Sequence, residues 1–317
     1  MARPLLTLSP VFRWCATAVV LVVLFLWLDA SDLLTELQRV PSWVVWPALG
    51  LSLVQVGVSA WRWRYTAARL RLPLPYAVAV REYYLATFLN QVLPGGVMGD
   101  VNRAWRHSLG TQSRLASVHA VLIERLSGQL VLVLLAALLI GVAVGLDDVN
   151  QPATATMRAD TDYSRLLVGL AIGGLVLVAL VMGFRKRLLG YSRQLAGDLR
   201  AGLFRWPVWP VQLASSLLVV GSYLGVFMVL AAGAGYLGDE GSVLTLLALC
   251  SALLISMVVP LTVAGWGVRE GAAAVLWPLA GLPPEQGVAL SIGYGLIVLL
   301  SSLPGSVFVV SSVASAR

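Results

Sequence analysis

The sequence predicts an all-α integral membrane protein, a polytopic helical bundle of about 7–8 spans with two Pro/Gly-broken re-entrant segments. Three observations carry that prediction. The 317 residues are 59% hydrophobic and only 12% charged, with mean hydropathy +0.86, where soluble domains carry about 25% charge. Apolar runs recur at 12–28, 43–61, 119–146, 164–184, 208–236, 242–260 and 287–313, against the roughly 20 residues a bilayer core requires. Two further hydrophobic stretches are broken by Pro and Gly and followed at once by charge, at Asn90–Arg106 and at Val259–Glu270.

The runs are continuous, unlike the alternating segments of about ten residues found in membrane barrels, so each reads as a helix. The first is flanked by Arg3 and Arg13 and lacks a small-x-small cleavage site around Asp29-Ala30-Ser31, which predicts an uncleaved first helix. Residues 76–114 hold Arg81 and Glu82, out of place in a lipid-facing span. Residues 115–146 would extend about 48 Å as one helix, with Glu124-Arg125 near its cytoplasmic boundary. The 271–281 stretch is too short to span and carries Trp277-Pro278. It reads as the second half of a broken element before the last helix.

Charge sets the topology. Arg62, Arg64, Arg69 and Arg71 place four positive charges between the second and third runs. Arg185, Lys186, Arg187, Arg193, Arg200 and Arg205 outweigh Asp198 after the 164–184 run. The intervening loops are acidic, with Asp29, Asp32 and Glu36 in one, Asp147, Asp148, Asp160 and Asp162 in the next, and Asp239-Glu240 beyond. This is a positive-inside pattern with the N-terminus in the cytoplasm. It holds only if 76–114 dips into the membrane and returns. The net charge of +7 therefore reports topology and anionic headgroups, not nucleic acid.

The interruptions are where chemistry is expected. Non-helical backbone at membrane depth survives only where protein buries it or water reaches it, and a matching pair of broken segments points to a binding site. Pro94, Gly95, Gly96 and Gly99 form one hinge; Pro260, Gly265 and Gly267 form the other. The pairing suggests an inverted pseudo-repeat, with halves 1–160 and 161–317 of one transmembrane domain spanning 1–317. Asp100 suits a helix start, satisfying free amides, with Arg103 on the same face; Arg269-Glu270 opens a second helix. Helix N-termini and arginine forks both favour phosphate. Asn90, Asp100, Arg103, Glu124, Arg125, Arg269 and Glu270 are the candidate headgroup-binding residues. The plainer reading makes the breaks tight turns and the charges structural pairs, with Arg81-Glu82 and Glu124-Arg125 at the interface.

Other features read as structural. His107 and His119 have no ligand-like spacing, so no metal or cofactor is expected, and no catalytic motif is present. Cys15 and Cys250 read as small core residues. Trp43, Trp46, Trp61, Trp63, Trp206 and Trp209 read as interfacial belts. Gly173-Gly174 and Gly221/Gly225 read as helix-packing sites.

Phe88-Leu89-Asn90-Gln91-Val92-Leu93-Pro94-Gly95-Gly96, then Gly99-Asp100 and Arg103, then Glu124-Arg125, then Pro260, Gly265-Trp266-Gly267-Val268-Arg269-Glu270-Gly271 resemble the lysylphosphatidylglycerol synthase transmembrane region, or flippase-like domain family. The resemblance covers essentially the whole chain in order. Asp100 departs from a pattern that often has Glu. The resemblance implies a multi-pass domain of the bacterial cytoplasmic membrane that handles phospholipids or lipid-linked intermediates. Some members fuse this region to a soluble aminoacyl transferase; ending at Arg317, this chain is expected to be the membrane domain alone and not an enzyme.

The leading expectation is a translocator whose polar cavity takes an anionic or amino-modified phospholipid headgroup, Arg103 and Arg269 holding its phosphate. The alternative is an accessory subunit presenting lipid to a separate cytoplasmic transferase. A membrane-embedded lipid or polyprenyl-phosphate transferase ranks third, because the acidic loop at 147–163 lacks a complementary base.

Overall fold

A computed structural model of the chain describes residues 10–28, 30–94, 96–111, 113–150, 192–238, 240–258 and 262–314. Among these residues the protein is helical. The helices are α1 (Pro10–Trp27), α2 (Ala30–Gln38), α3 (Val45–Arg69), α4 (Tyr76–Val92), α5 (Met98–Leu109), α6 (Arg114–Asn150) and α7 (Ser192–Leu199). They continue with α8 (Val208–Gly233), α9 (Glu240–Ser256), α10 (Val268–Leu279), α11 (Pro284–Ser302) and α12 (Pro304–Ala314). Ser42–Arg69, Arg114–Ala143, Val208–Gly233 and Pro284–Val309 are long and apolar enough to cross a bilayer, and Val11–Leu24 and Val243–Ser256 are shorter apolar helices. The protein is a multi-pass, all-α membrane protein. The 164–184 run, Gly173-Gly174, Gly95 and Pro260 lie outside the described residues.

Packing follows the apolar faces. α3 lies along α8, α6 along α9, and α10 along α11. Val44, Phe227, Leu230, Leu253, Trp277 and Leu290 lie in the larger core, where the Phe227 and Tyr294 rings stack 4.2 Å apart. The segment expected as an acidic loop at 29–39 instead forms α2, because Leu33 and its neighbours pack onto that core. Tyr236, beyond the end of α8, donates to Glu36 Oε2 at 2.5 Å; burial and this bond push its phenol up from its ordinary value.

Several expectations change. Apolarity stops at Trp61, yet α3 continues to Arg69: no Gly or Pro follows Trp61 within the helix, and the bundle covers Arg62, which is therefore a buried helix residue and not a loop cation. Trp63 is fully buried, whereas Trp43, Trp46, Trp61, Trp206 and Trp209 are exposed as belt residues should be. Cys15 is exposed on α1 and only Cys250 is a core residue. Within the glycine pair on α8, a side chain at Gly225 would touch Leu51 at 3.1 Å, while Gly221 faces open space. The 287–313 run is interrupted after Ser302 by Pro304, although Leu303 keeps helical angles (φ −52°, ψ −35°).

The first interrupted segment is a helical hairpin. Arg106 near the end of α5 donates to Glu82 near the start of α4 at 3.0 Å. Asn90 at the other end of α4 donates to Asp100 at 3.1 Å. The 17 residues of α4 and 12 of α5 reach only about 26 and 18 Å, less than the roughly 30 Å of a hydrocarbon core. Their close contact depends on Gly99, where a Cβ would stand 1.9 Å from the Ala86 carbonyl oxygen. The second break, after α9, turns through Ala264, Gly265 and Gly267 at φ 53°, 80° and 87°, then enters the 12-residue α10.

The two breaks meet. Pro94 and Val263 form an isolated antiparallel bridge. α1 crosses both tips: Arg13 Nη1 donates to the Pro94 carbonyl at 3.2 Å, and Thr17 Oγ1 accepts from Val263 N at 3.1 Å.

Gly99→Ala is expected to lower the melting temperature of the detergent-solubilised protein by several degrees, an overpacking cost of about 1–3 kcal/mol. Gly271→Ala, in helix α10 with nothing within 4 Å of its Cβ position, should leave melting unchanged or slightly higher. Equal melting of both variants would contradict the close α4–α5 contact.

Candidate functional site

The first hairpin, α3 and α6 bring five charged side chains into one network, buried except at Arg125. Glu124 is fully buried at its centre. Its Oε1 accepts from Arg62 Nη2 at 2.5 Å and Tyr83 Oη at 3.3 Å, and its Oε2 accepts from Arg103 Nη2 at 2.6 Å. Arg103 Nε donates to Asp100 Oδ1 at 2.8 Å. Asp100 Oδ2 accepts from Asn90 Nδ2 and from Arg125 Nη2. Arg62 Nη1 continues to Ser216 on α8 at 2.7 Å, so the network ties α3, α5, α6 and α8 together. The Arg103 guanidinium lies between the rings of Trp63 and Tyr83, 4.8 and 4.6 Å from their centroids.

Asn90 rather than Asp100 satisfies the helix start, since its Oδ1 accepts from Gly99 N at 2.7 Å. The carboxylate is thereby left for the arginines. Glu270 does the equivalent work at α10, accepting from Gly267 N at 2.6 Å. Its Oε1 accepts from Arg269 Nη2 and Ser291 Oγ, both at 2.8 Å, while Arg269 Nε donates to Ser291 Oγ at 2.6 Å. Arg269 also lies over two rings, Trp266 and Tyr294, at 5.3 and 5.2 Å. Gly295 makes that seat possible, because a Cβ there would be 2.4 Å from Arg269 Nη2. Both breaks thus end in an arginine lying against two aromatic rings and tied to a carboxylate, although the carboxylate precedes Arg103 and follows Arg269.

A cavity of about 230 Å³ lies where these parts converge. Asn90, Glu124 and Arg125 line it, as do the hinge residues Gly96 and Gly265. Asp100 and Arg103 stand behind that lining, joined to it through Glu124 and Arg125; Arg269 and Glu270 are separate from this network and reach the cavity through Tyr294. Arg103 is 1% exposed and Arg269 2%. Sequence reasoning missed Arg62, Gln55, Tyr83, Gln91, Gln129, Tyr223 and Tyr294, which also line the cavity. A signal existed for Arg62: it lies seven residues after Gln55, hence on one helix face about two turns apart. His119 instead faces Asp198 at 2.6 Å. No group of three or more His, Cys, Asp or Glu among the described residues could hold a metal.

Fold and site together define a multi-pass membrane protein with a charged cavity between two interrupted helical segments. The chain belongs to the lysylphosphatidylglycerol synthase TM region family, whose match covers residues 13–305. The family places it in a membrane-lipid context. No curated protein matches the chain.

Glu124→Ala leaves Arg62 and Arg103 without their shared partner and is expected to cost about 3–5 kcal/mol, read as a large fall in melting temperature in detergent. Combined with Arg62→Ala, the loss should be smaller than the two single losses added, by about 0.5–3 kcal/mol. Strict additivity would count against the pairing.

Proposed function

We propose that the protein moves a phospholipid or lipid-linked intermediate between leaflets of a bacterial cytoplasmic membrane, its N-terminus cytoplasmic. The headgroup occupies the cavity while the acyl tails stay in the bilayer. The observation that carries this reading is the charged lining of a cavity at the junction of two interrupted segments. Ionisable groups in a membrane bundle mark substrate pathways, and such junctions are where transporters bind. At about 230 Å³ the cavity is just under the usual small-molecule pocket of about 300–1,000 Å³, a size for a headgroup and not for a whole lipid.

Within this reading the residues divide by depth. Arg125 and Arg62 face the headgroup phosphate. Asp100 and Arg103 orient Arg125 from behind, Asn90 braces Asp100 from the cavity wall, and Glu124 fixes Arg62. Arg269 and Glu270 hold the second tip and Tyr294. Separation of the Pro94–Val263 bridge, by rotation about Gly96, Gly265 and Gly267, opens the cavity to one side. Among the described residues, one backbone bridge and two contacts from α1 join the tips.

The test is transport in liposomes containing acyl-labelled fluorescent phosphatidylglycerol, with a membrane-impermeant quencher outside. Wild-type protein should expose inner-leaflet lipid, and Arg125→Ala should slow this at least about tenfold, the scale of one charge-assisted hydrogen bond, while remaining monodisperse. Wild-type protein giving no acceleration over empty liposomes, or Arg125→Ala moving lipid as fast as wild type, would defeat the reading.

A further inference from the structure

The cavity's charge and polar lining specify the headgroup more narrowly than the lipid-binding reading on which this inference rests. In the first network three guanidinium groups, Arg62, Arg103 and Arg125, meet two carboxylates, Asp100 and Glu124. One positive charge is left over. The second site adds none, because Arg269 and Glu270 neutralise each other. Both carboxylates are engaged on both oxygens: Glu124 by Arg62, Tyr83 and Arg103, and Asp100 by Arg103, Asn90 and Arg125. A carboxylate has about four acceptor sites, so little remains for a ligand ammonium, which would also meet the surplus positive charge.

The donors tell the opposite story. Arg62 Nε, Arg103 Nη1 and Arg125 Nε are buried and find no acceptor among the described residues. Arg62 is itself 3% exposed and lines the cavity. Buried N–H groups are nearly always paired, and the single unpaired N–H groups of Arg62 and Arg125, two arginines of the lining, are donors suited to a phosphate oxygen. The neutral part of the lining is equally informative. Gln55, Gln91 and Gln129 reach the cavity with no side-chain hydrogen bond among the described residues, and Thr262 Oγ1 is unpartnered nearby. A primary amide both donates and accepts. Several of them around one space suit hydroxyl groups, which do the same.

We infer that the cavity selects an anionic phosphate ester of a polyhydroxyl headgroup, such as a glycerol, inositol or sugar phosphate, and rejects aminoacylated or ethanolamine headgroups. Arg125 and Arg62 take the phosphate; Gln91 and Gln129 take hydroxyls.

Competition for the purified full chain in detergent, read by native mass spectrometry, tests this. The probes are phosphatidylinositol, phosphatidylglycerol, phosphatidic acid, phosphatidylethanolamine and lysylphosphatidylglycerol at equal concentration. Phosphatidylinositol and phosphatidylglycerol should be retained at least about tenfold over the two amine-bearing lipids. Arg125→Gln and the charge-conserving Arg125→Lys should both weaken all three anionic lipids, Lys less. Gln129→Leu with Gln91→Leu should weaken phosphatidylinositol and phosphatidylglycerol while sparing phosphatidic acid. Equal or tighter retention of an amine-bearing lipid, still sensitive to Arg125→Gln, overturns the selectivity and leaves the headgroup cavity standing. Indifference of phosphatidylinositol to the double Gln variant overturns the hydroxyl assignment. If every lipid is retained equally by wild type and both Arg125 variants, the cavity does not hold headgroups and both readings fall together.

Discussion

The fully buried carboxylate of Glu124 is the interaction on which this structure depends. Charge in a bundle core is costly unless paired and hydrogen-bonded on every side. Glu124 meets that demand by engaging Arg62 from α3 and Arg103 from α5 at once. Each arginine then needs its own remaining partners. Arg62 finds Ser216 on α8, and Arg103 finds Asp100 and the faces of Trp63 and Tyr83. One carboxylate on α6 thus fixes the relative positions of three other helices, and through Asp100 it fixes Arg125 at the cavity wall. Apolar packing alone would let these smooth helix faces slide; a chain of directional bonds does not.

The same constraint explains why the breaks occur beside the charges. A hairpin that turns within the membrane exposes amides and carbonyls that lipid cannot satisfy. The protein meets this locally: Asn90 caps Gly99, Glu270 caps Gly267, Thr17 takes Val263 N, and Arg13 reaches the Pro94 carbonyl. Polar groups required for backbone accounting are then already at depth. The site uses the same side chains twice, since Asn90 holds both the helix start and Asp100. Position and chemistry are inseparable here, which is why the hinge glycines and the charged residues fall within a few positions of each other.

Much of this was legible in the chain. The Pro94–Asp100 break, the short 271–281 helix and the Asp100–Arg103 pair all follow from local rules: turn residues, helix length and i,i+3 spacing. What escaped was long-range. Arg62 looked like a loop cation because hydropathy falls after Trp61, and only the fold brings it against Glu124, 62 positions later in the chain. Trp63 looked interfacial for the same reason, and it is buried in a second apolar cluster with Ala60, Ala67 and Leu72. Arg103 and Arg269 stood out as the strongest arginines in the sequence, yet they are the ones most enclosed by rings. The more exposed Arg125 reaches the cavity because it lies next to Glu124 on α6, pointing one helical step away.

A surplus positive charge beside a cavity also bears on stability. Burying an uncompensated guanidinium is costly; the 41% exposure of the Arg125 side chain moderates that cost, while Asp100 and Glu124 are already committed to the arginines. A bound anion relieves that cost in the folded state alone, since the unfolded chain has no such cavity. Occupancy and fold stability are therefore linked, by an amount set by ligand concentration relative to its dissociation constant. The gate shares in this linkage. Under the proposed gating, opening the Pro94–Val263 bridge would admit water to Arg62 and Arg125, so an empty cavity would favour open tips and an occupied one closed tips. On the proposed reading, the excess charge that selects the ligand would also bias the conformation that encloses it.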